Sequence, residues 1–334
     1  MRVFLNGLGR IGKLVLRDLL ELPGEVTIVG INDAAGDADQ HALLLEFDSV
    51  HGRWHRAVRA EGKTLVIGDI RLPLSAHRRI EDIPLDGVDM VIDCTGVFKT
   101  GEKVQPYFDA GVAKVVVSAP VKDGGALNLV YGVNHDRYDD QRLVTAASCT
   151  TNCLAPVVAV LREAFGIRHG SFTTIHNVTN TQTIIDRPHK DPRRARSALT
   201  NMIPTTTGSA KAIMQIFPDL EGRLTGHAVR VPLLNASLTD CAFEMERPVT
   251  VEEVHAAFRT AEAGPMAGIL GVEDRPLVSS DYLNDRRSTI IDALSTVVVR
   301  GTHLKLYAWY DNEFGYAIRL CDIARMIAGS KARA

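Results

Sequence analysis

Short apolar runs recur along the first 145 residues, separated by stretches whose apolar positions follow a helical period. Residues 3–5, 26–31, 88–93, 114–118 and, more weakly, 143–145 read as strands. Residues 12–22 read as an amphipathic helix with Leu14, Leu16, Leu19 and Leu20 apolar. Strands that are apolar throughout have both faces covered, and helices between them supply the cover. An α/β fold built on a doubly wound parallel sheet is predicted. After Cys149 the pattern changes. Residues 149–165 read as a helix, kinked or adjusted near Pro156. Longer β-like stretches follow at 171–176, 226–234, 237–245 and 304–310 without regular helical crossovers, so a mixed or antiparallel sheet is expected in a second, α+β unit. Residues 179–207 are polar and basic without a clear period, a length of loop that is usually functional or disordered. Residues 312–328 read as one helix that could pack back on the first unit.

The 334 residues, 46% of them hydrophobic, suffice for two domains rather than one. A formal net charge of −2 gives no sequence-independent attraction to nucleic acid or acidic membrane, so no primary nucleic-acid role is expected. The basic run at 193–196 is the local exception. It reads as a solvated face, a nucleic-acid patch or an anion site. No apolar run is long enough to span a bilayer, and Met1-Arg2 leads straight into the first strand with no secretory core. Five cysteines (94, 149, 153, 241 and 321) are scattered without a CxxC pair. Free thiols, a reducing compartment and a cytoplasmic location are expected, with no metal site.

Gly7-Leu8-Gly9-Arg10-Ile11-Gly12 follows a predicted strand and opens a predicted helix, and the acidic Asp33 ends the next strand about 20 residues on. Gly7 would allow the tight turn, Gly9 the approach of a pyrophosphate, and Gly12 the close packing of helix on strand. The helix start then offers free N–H groups and a partial positive charge to phosphate. Asp33 would bind ribose hydroxyls and repel a 2′-phosphate, which favours NAD over NADP. Arg187 in the long loop could attract that phosphate instead. A ligand-free glycine turn is the other reading of the bare motif.

Cys149 follows Ser148, a suitable N-cap, so it falls in the first turn of a helix. There the helix field favours a thiolate and backbone N–H groups can meet an oxyanion. A free cysteine can also be a small buried hydrophobe. The polar neighbours Ser148, Thr150, Thr151 and Asn152 count against burial, and Cys153 is the better structural thiol. His176, at a strand end, is either a hydrogen-bonded structural residue or a base; proximity to Cys149 would decide it.

Over nearly its whole length the chain resembles the glyceraldehyde-3-phosphate dehydrogenase family. The segments are NGLGRIG at 6–12, DSVHG at 48–52, SAP at 118–120, ASCTTNCLAP at 147–156, PHKD at 188–191, RRAR at 193–196, IPTTTG at 203–208, RVP at 230–232 and WYDNE at 309–313. The resemblance implies a Rossmann-type NAD domain over 1–148 with 312–334, and a catalytic domain over 149–311. It makes Cys149 the nucleophile and His176 the base. It assigns Thr179 and Arg230 to the substrate's C3 phosphate, and Ser148, Thr150, Thr207 and Gly208 to the attacking phosphate. Arg194 serves the phosphate sites. Besides Gly7, Gly9, Arg10, Ile11, Gly12 and Asp33, it places Thr95 and Ser118 in the cofactor pocket, Asn312 on the nicotinamide carboxamide and Tyr316 beside the ring. Family members are usually homotetramers in which the long loop reaches a neighbour's cofactor site.

The implied reaction is thiolate attack on the aldehyde of glyceraldehyde 3-phosphate, hydride loss to NAD as His176 takes the hydroxyl proton, and release of the thioester by inorganic phosphate. Val178 and Thr181 stand where glycolytic members more often have tyrosine and an acid, and Phe314 where tryptophan or threonine is usual. LLNASLTDC at 233–241, HGRW at 51–54 and QPYF at 105–108 resemble the branch in arsenic-resistance operons. That branch implies arsenate as acceptor, giving 1-arseno-3-phosphoglycerate for an organoarsenical efflux permease. Two other readings remain: a water-resolved erythrose-4-phosphate dehydrogenase, and an NAD-binding redox sensor or RNA-binding partner.

Overall fold

The computed structural model describes residues 1–121 and 123–331, and the chain divides into two compact units. One comprises Met1–Tyr131, His135–Ser148 and the chain from Tyr316; the other comprises Gly132–Asn134 and Cys149–Gly315.

The first unit carries one sheet. Its strands are β1 (Arg2–Asn6), β2 (Thr27–Asn32), β3 (Val58–Glu61), β4 (Thr64–Ile67), β5 (Ile70–Ser75), β6 (Met90–Asp93), β7 (Lys114–Val117), β8 (Leu127–Asn128) and β9 (Leu143–Thr145). The order is β3-β4-β5-β2-β1-β6-β7-β9-β8. From β5 to β8 all neighbours are parallel. Strands β6 and β7 are buried along their whole length, the apolar runs Met90–Ile92 and Val115–Val117 together with the charged residues Asp93 and Lys114 at their ends. Helices α1 (Arg10–Glu21), α2 (Ala38–Glu46) and α3 (Gly101–Asp109) belong to this unit. Val104 and Tyr107 of α3 share a core with Phe4, Val91, Val115 and Val117 of the sheet. The chain leaves β1 for β2 on one side and reaches β6 on the other, so the carboxyl end of β1 is a topological switch point. The antiparallel meander β3-β4-β5 extends the sheet beyond the predicted parallel part. Its sequence signal is two short turns at Gly62 and Gly68, both with positive φ.

The second unit carries β10 (Ile167–His176), β11 (Ile203–Thr206), β12 (Leu224–Arg230), β13 (Ser237–Met245), β14 (Leu270–Glu273), β15 (Thr289–Val299) and β16 (His303–Tyr310), in the order β11-β12-β10-β13-β16-β15-β14. Pairs β10/β12 and β14/β15 are parallel and the rest antiparallel, the mixed sheet expected. Three helices accompany it: α4 (Cys149–Phe165), α5 (Ser209–Ile216) and α6 (Val251–Ala263). α4 runs unbroken through Pro156 and lies on the sheet, with Cys153 Sγ 3.6 Å from Thr239 Oγ1 and 3.5 Å from Thr289 Oγ1. The strand predicted over 226–234 stops at Arg230, ahead of Pro232, which has no N–H for a ladder. β11 lies inside the stretch without a clear period. The C-terminal helix, Phe314–Lys331, starts two residues later than predicted, where Asp311 Oδ1 accepts from the amides of Glu313 (2.9 Å) and Phe314 (2.7 Å).

Candidate active site

The turn from β1 into α1 is built as its glycines predict. Gly7 has φ +95° and donates its N–H to Asn32 O at 2.7 Å, and a Cβ there would lie 2.7 Å from the Cys94 and Thr95 backbone. A Cβ on Gly12 would stand 1.9 Å from Gly7 O, while one on Gly9 would meet nothing within 4 Å. Gly9 is the N-cap of α1 and no side chain caps the helix, so its first amides stay available to an anion. Arg10, at the helix start, reaches Asp48 with Nη1 2.5 Å from Oδ2. Burial would raise the Asp48 pKa, but Arg10 and the amides of His51 and Val50 hold it down at about 2. Asp33 sits at the switch point, its Oδ2 accepting from Leu8 N (2.7 Å) and its Oδ1 from Ala35 N (2.9 Å). A cleft of about 370 Å³ runs past Gly7, Gly9, Asp33, Cys94 and Thr95.

We expect Gly12→Ala to lower the melting temperature and to lose most of the further stabilisation that NAD confers. The displaced α1 start costs about 1–3 kcal/mol of overpacking and its amides leave their aim. Melting with and without NAD separates the two effects; an unchanged NAD increment would refute the placement.

Under the cleft lies a polar network that pattern reading did not find. Asp93 is fully buried. Its Oδ1 accepts from Thr95 N (3.0 Å) and Thr95 Oγ1 (2.8 Å), and its Oδ2 from Tyr107 Oη (2.7 Å). Burial raises its pKa to about 6 against those bonds. Asn6 and Asn32 extend the chain of hydrogen bonds to Ser75 and His77. The Thr95 loop is thus fixed from below, and Ser118 N bonds Asp93 O at 2.8 Å. His77 and Arg78, also missed, line the cleft with Asp33.

In the second unit, alternation along β10 turns Phe172, Thr174 and His176 to the buried side. Cys149 is the first residue of α4, and its part-buried Sγ lies 3.6 Å from His176 Nε2. The ring is otherwise fixed. His176 Nδ1 lies 2.9 Å from Asn177 O and 2.5 Å from Arg230 Nη1, and Tyr310 packs edge-on against it. Tyr310 Oη also reaches Thr150 Oγ1 (3.0 Å) and Thr174 Oγ1 (2.7 Å). Arg230 is there because β12 runs parallel to β10 with Arg230 paired to His176. Burial raises the Cys149 thiol pKa above its ordinary 9.0, opposed by Arg230 and by hydrogen bonds from Thr150. The expected helix-start effect is present, but desolvation outweighs it. Burial, then Arg230, lowers the His176 pKa to about 3, so the ring is neutral.

A thiol and a neutral imidazole in contact, beside a guanidinium, form a nucleophile and proton acceptor suited to acyl chemistry on an anionic substrate. Residues 1–101 match the model described as glyceraldehyde 3-phosphate dehydrogenase, NAD binding domain, and residues 148–312 match its C-terminal domain. The chain belongs to the glyceraldehyde-3-phosphate dehydrogenase family. Among its relatives are glyceraldehyde-3-phosphate dehydrogenase 3 of Nostoc sp., 55% identical, and the glyceraldehyde-3-phosphate dehydrogenase of Geobacillus stearothermophilus, 46% identical. Glyceraldehyde-3-phosphate dehydrogenase 1 of Bacillus subtilis is 45% identical, and each match covers 98% of both chains.

NAD is the cofactor of this family's first domain, and the open side of Gly9, the uncapped α1 and the Asp33 carboxylate fit a dinucleotide. Of the other residues that the family resemblance singled out, Asn312 is buried and its Oδ1 accepts from Ser237 Oγ at 2.8 Å. Tyr316 donates to Ala147 O at 3.1 Å. Thr207 and Gly208 stand at the start of α5, with Gly208 as N-cap and Thr207 Oγ1 accepting from Ser209 N at 3.2 Å. Thr179 Oγ1 lies 2.8 Å from Thr181 Oγ1, and Ser148 directly precedes α4. Arg194 is held by Thr205 (3.0 Å) and Asp191 (3.6 Å), close enough to Arg230 for its charge to act there. Arg196 pairs with Asp186 at 2.6 Å. Two arginines of the basic run are therefore bound within their own loop, which argues against a nucleic-acid patch. Arg187 N bonds Ala195 O at 2.9 Å.

Proposed function

We propose that the chain oxidises glyceraldehyde 3-phosphate with NAD through a thioester on Cys149, and that inorganic phosphate releases the acyl group as an acyl phosphate. The contact of Cys149 Sγ with His176 Nε2 carries this reading. Cys149 attacks the aldehyde carbon, and the Thr150 and Cys149 amides at the start of α4 suit the oxygen that becomes negative. The hemithioacetal loses hydride, which NAD accepts when bound, while its hydroxyl proton passes to His176. Arg230, with Thr179, takes the substrate's phosphate. Arg194, Ser148, Thr150, Thr207 and Gly208 serve the attacking oxyanion, for which the α5 start offers N–H groups. Asn312 and Tyr316 orient the nicotinamide, and Asp33 selects NAD over NADP.

Arsenate is the second acceptor in this reading, since it has the shape and charge of phosphate and a thioester is open to both. The arsenic-branch segments include Trp54 and Cys241, which are core residues, so at those positions they bear on packing rather than on oxyanion choice. An exporting permease is the partner an arsenate role would need. Ile184, Ile185, Leu199 and Met202 are exposed on the long loop, which supports its burial against a second copy in a homotetramer. Free thiols throughout suit the cytoplasm.

NADH formation is expected to need phosphate or arsenate beyond the first turnover. Sustained turnover in a buffer with neither would sink phosphorolysis and favour the water-resolved erythrose-4-phosphate type of reaction.

A further inference from the structure

The hydrogen bonds beneath the cofactor cleft all run in one direction. A backbone peptide fixes the sense at one end: His77 N donates to Asn32 Oδ1 (2.8 Å), and Asn32 Nδ2 donates to His77 O (2.9 Å). Asn32 Nδ2 also donates to Asn6 Oδ1 at 2.8 Å. Asn6 Nδ2 is then the donor toward Tyr107 Oη (2.5 Å) and Asp93 Oδ2 (3.4 Å). Tyr107 accepts from Asn6, so its one O–H goes to Asp93 Oδ2. On the other carboxylate oxygen both bonds come from Thr95, through N and Oγ1. Thr95 Oγ1 in turn accepts from Val97 N at 3.1 Å. Each of these groups presents a donor to Asp93, and only an acceptor without a proton of its own can end such a chain.

Asn6, Asn32, His77 and Thr95 line the cleft themselves, and so do Val97 and Phe98. Phe98 packs edge-on against the Tyr107 ring, with centroids 6.1 Å apart. The turn after β5, which carries His77, and the turn after β6, which carries Thr95, are separated in the sheet by β2 and β1. One buried carboxylate ties them together. We propose that Asp93 and Tyr107 are positioning residues for the adenosine half of NAD, holding both turns where the ligand needs them. Both are fully buried and act through Thr95, Asn6 and Phe98. The proposal rests on the reading that Asp33, in the same cleft, holds the adenosine ribose. A proton on either oxygen of Asp93 would meet a donor, and making room for it costs Thr95 or Tyr107 a bond. The network therefore keeps its form only while Asp93 is ionised. Burial raises the Asp93 pKa to about 6, so affinity should be intact above that pH and lost as pH falls through it. β1, α3 and the Thr95 turn face the carboxylate with Asn6, Tyr107 and Cys94, and burial keeps the last two neutral by raising their pKa values.

Calorimetric titration of the full-length protein with ADP-ribose tests this without nicotinamide, substrate or turnover. The diphosphate of this ligand stays ionised from about pH 8 to pH 5, so the ligand adds no step of its own. Affinity should be steady above about pH 7 and about tenfold weaker at pH 5, because the ionised fraction of Asp93 sets the competent population. His77 also lines the cleft; a proton there would draw the diphosphate in, an effect of opposite sign. Tyr107→Phe keeps the ring against Phe98 and removes one hydrogen bond to the carboxylate, so the step should move up by about one pH unit. Asp93→Asn sets an N–H among donors, and should lose about tenfold in affinity near neutrality and show no step. Affinity that is flat or rises on acidification, a Tyr107→Phe step at the unsubstituted protein's pH, or Asp93→Asn with undiminished affinity would each overturn the proposal. Failure of ADP-ribose to bind at any pH would remove the ribose reading of Asp33, and the positioning role with it. Should Asp93→Asn not fold, the step in the unsubstituted protein and its displacement in Tyr107→Phe still decide.

Discussion

Cys149→Ala is expected to remove NADH formation from glyceraldehyde 3-phosphate by a factor on the order of 10⁴ or more, leaving NAD binding intact. The loss should be this large because no other sulfur can stand in. Cys153, one helical turn on, is fully buried among Thr239, Thr289 and Ala308 O, and burial raises its pKa to about 12. Cys241 and Cys321 are fully buried, with pKa values raised well above the ordinary thiol range by desolvation. Cys94 belongs to the other unit and is raised likewise. Without Sγ there is no hemithioacetal, and the aldehyde hydrate is a poor hydride donor in its place. Rapid-mixing measurement of the first NADH burst, with intact-mass detection of the acyl adduct, checks the claim. A burst surviving in the variant would end the covalent scheme. NAD titration of the same preparation should give an unchanged affinity, since the dinucleotide loop is built from β1, α1 and β2.

The glycine turn between β1 and α1 was largely legible in the sequence because its constraints are local. Gly7 and Gly12 are each required by backbone atoms within the same turn or at the end of the adjacent strand, Gly9 leaves its side of the turn open, and Asp33 follows β2 directly. The apolar runs of β6 and β7 announced themselves for a similar reason. What stayed hidden depends on pairing. β3 has the burial of an edge strand, with Arg59 and Glu61 exposed, and its four residues are too few for their alternation to stand out. β15 changes register between Asp292 and Val297, which breaks its period. Asp93 and Tyr107 meet across α3 and β6, and no pattern in either element points at the other. The contact between Cys149 and His176 has the same character. The two are 27 residues apart, and α4 must fold back over β10 before they touch. Residue types could nominate each of them, while only the α4–sheet packing joins them.

His176→Asn should cut kcat by about 10²–10⁴-fold with little change in KM, and its pH behaviour discriminates between two ways the pair could work. With a pKa lowered from 6.5 to about 3, the ring stays uncharged at any working pH. Cys149, whose thiol burial raises, is then the group whose ionisation limits the rate, so activity should climb with pH above neutrality in both proteins. An acidic limb near pH 6–7 that disappeared in the variant would mean instead a thiolate–imidazolium pair. Stability provides a check independent of turnover. The unfolded chain binds a proton on this histidine below about pH 6.5, and the folded one does so only near pH 3. The unfolded state therefore gains protons first, and the histidine's contribution is intact above pH 6.5 and lost as pH falls toward 3. Asparagine has no such titration. Acidification from pH 7 to 5 should therefore lower the melting temperature of the unsubstituted protein more than that of the variant. Equal slopes would show that the imidazole titrates normally and that neither its burial nor the neighbouring Arg230 charge holds it neutral.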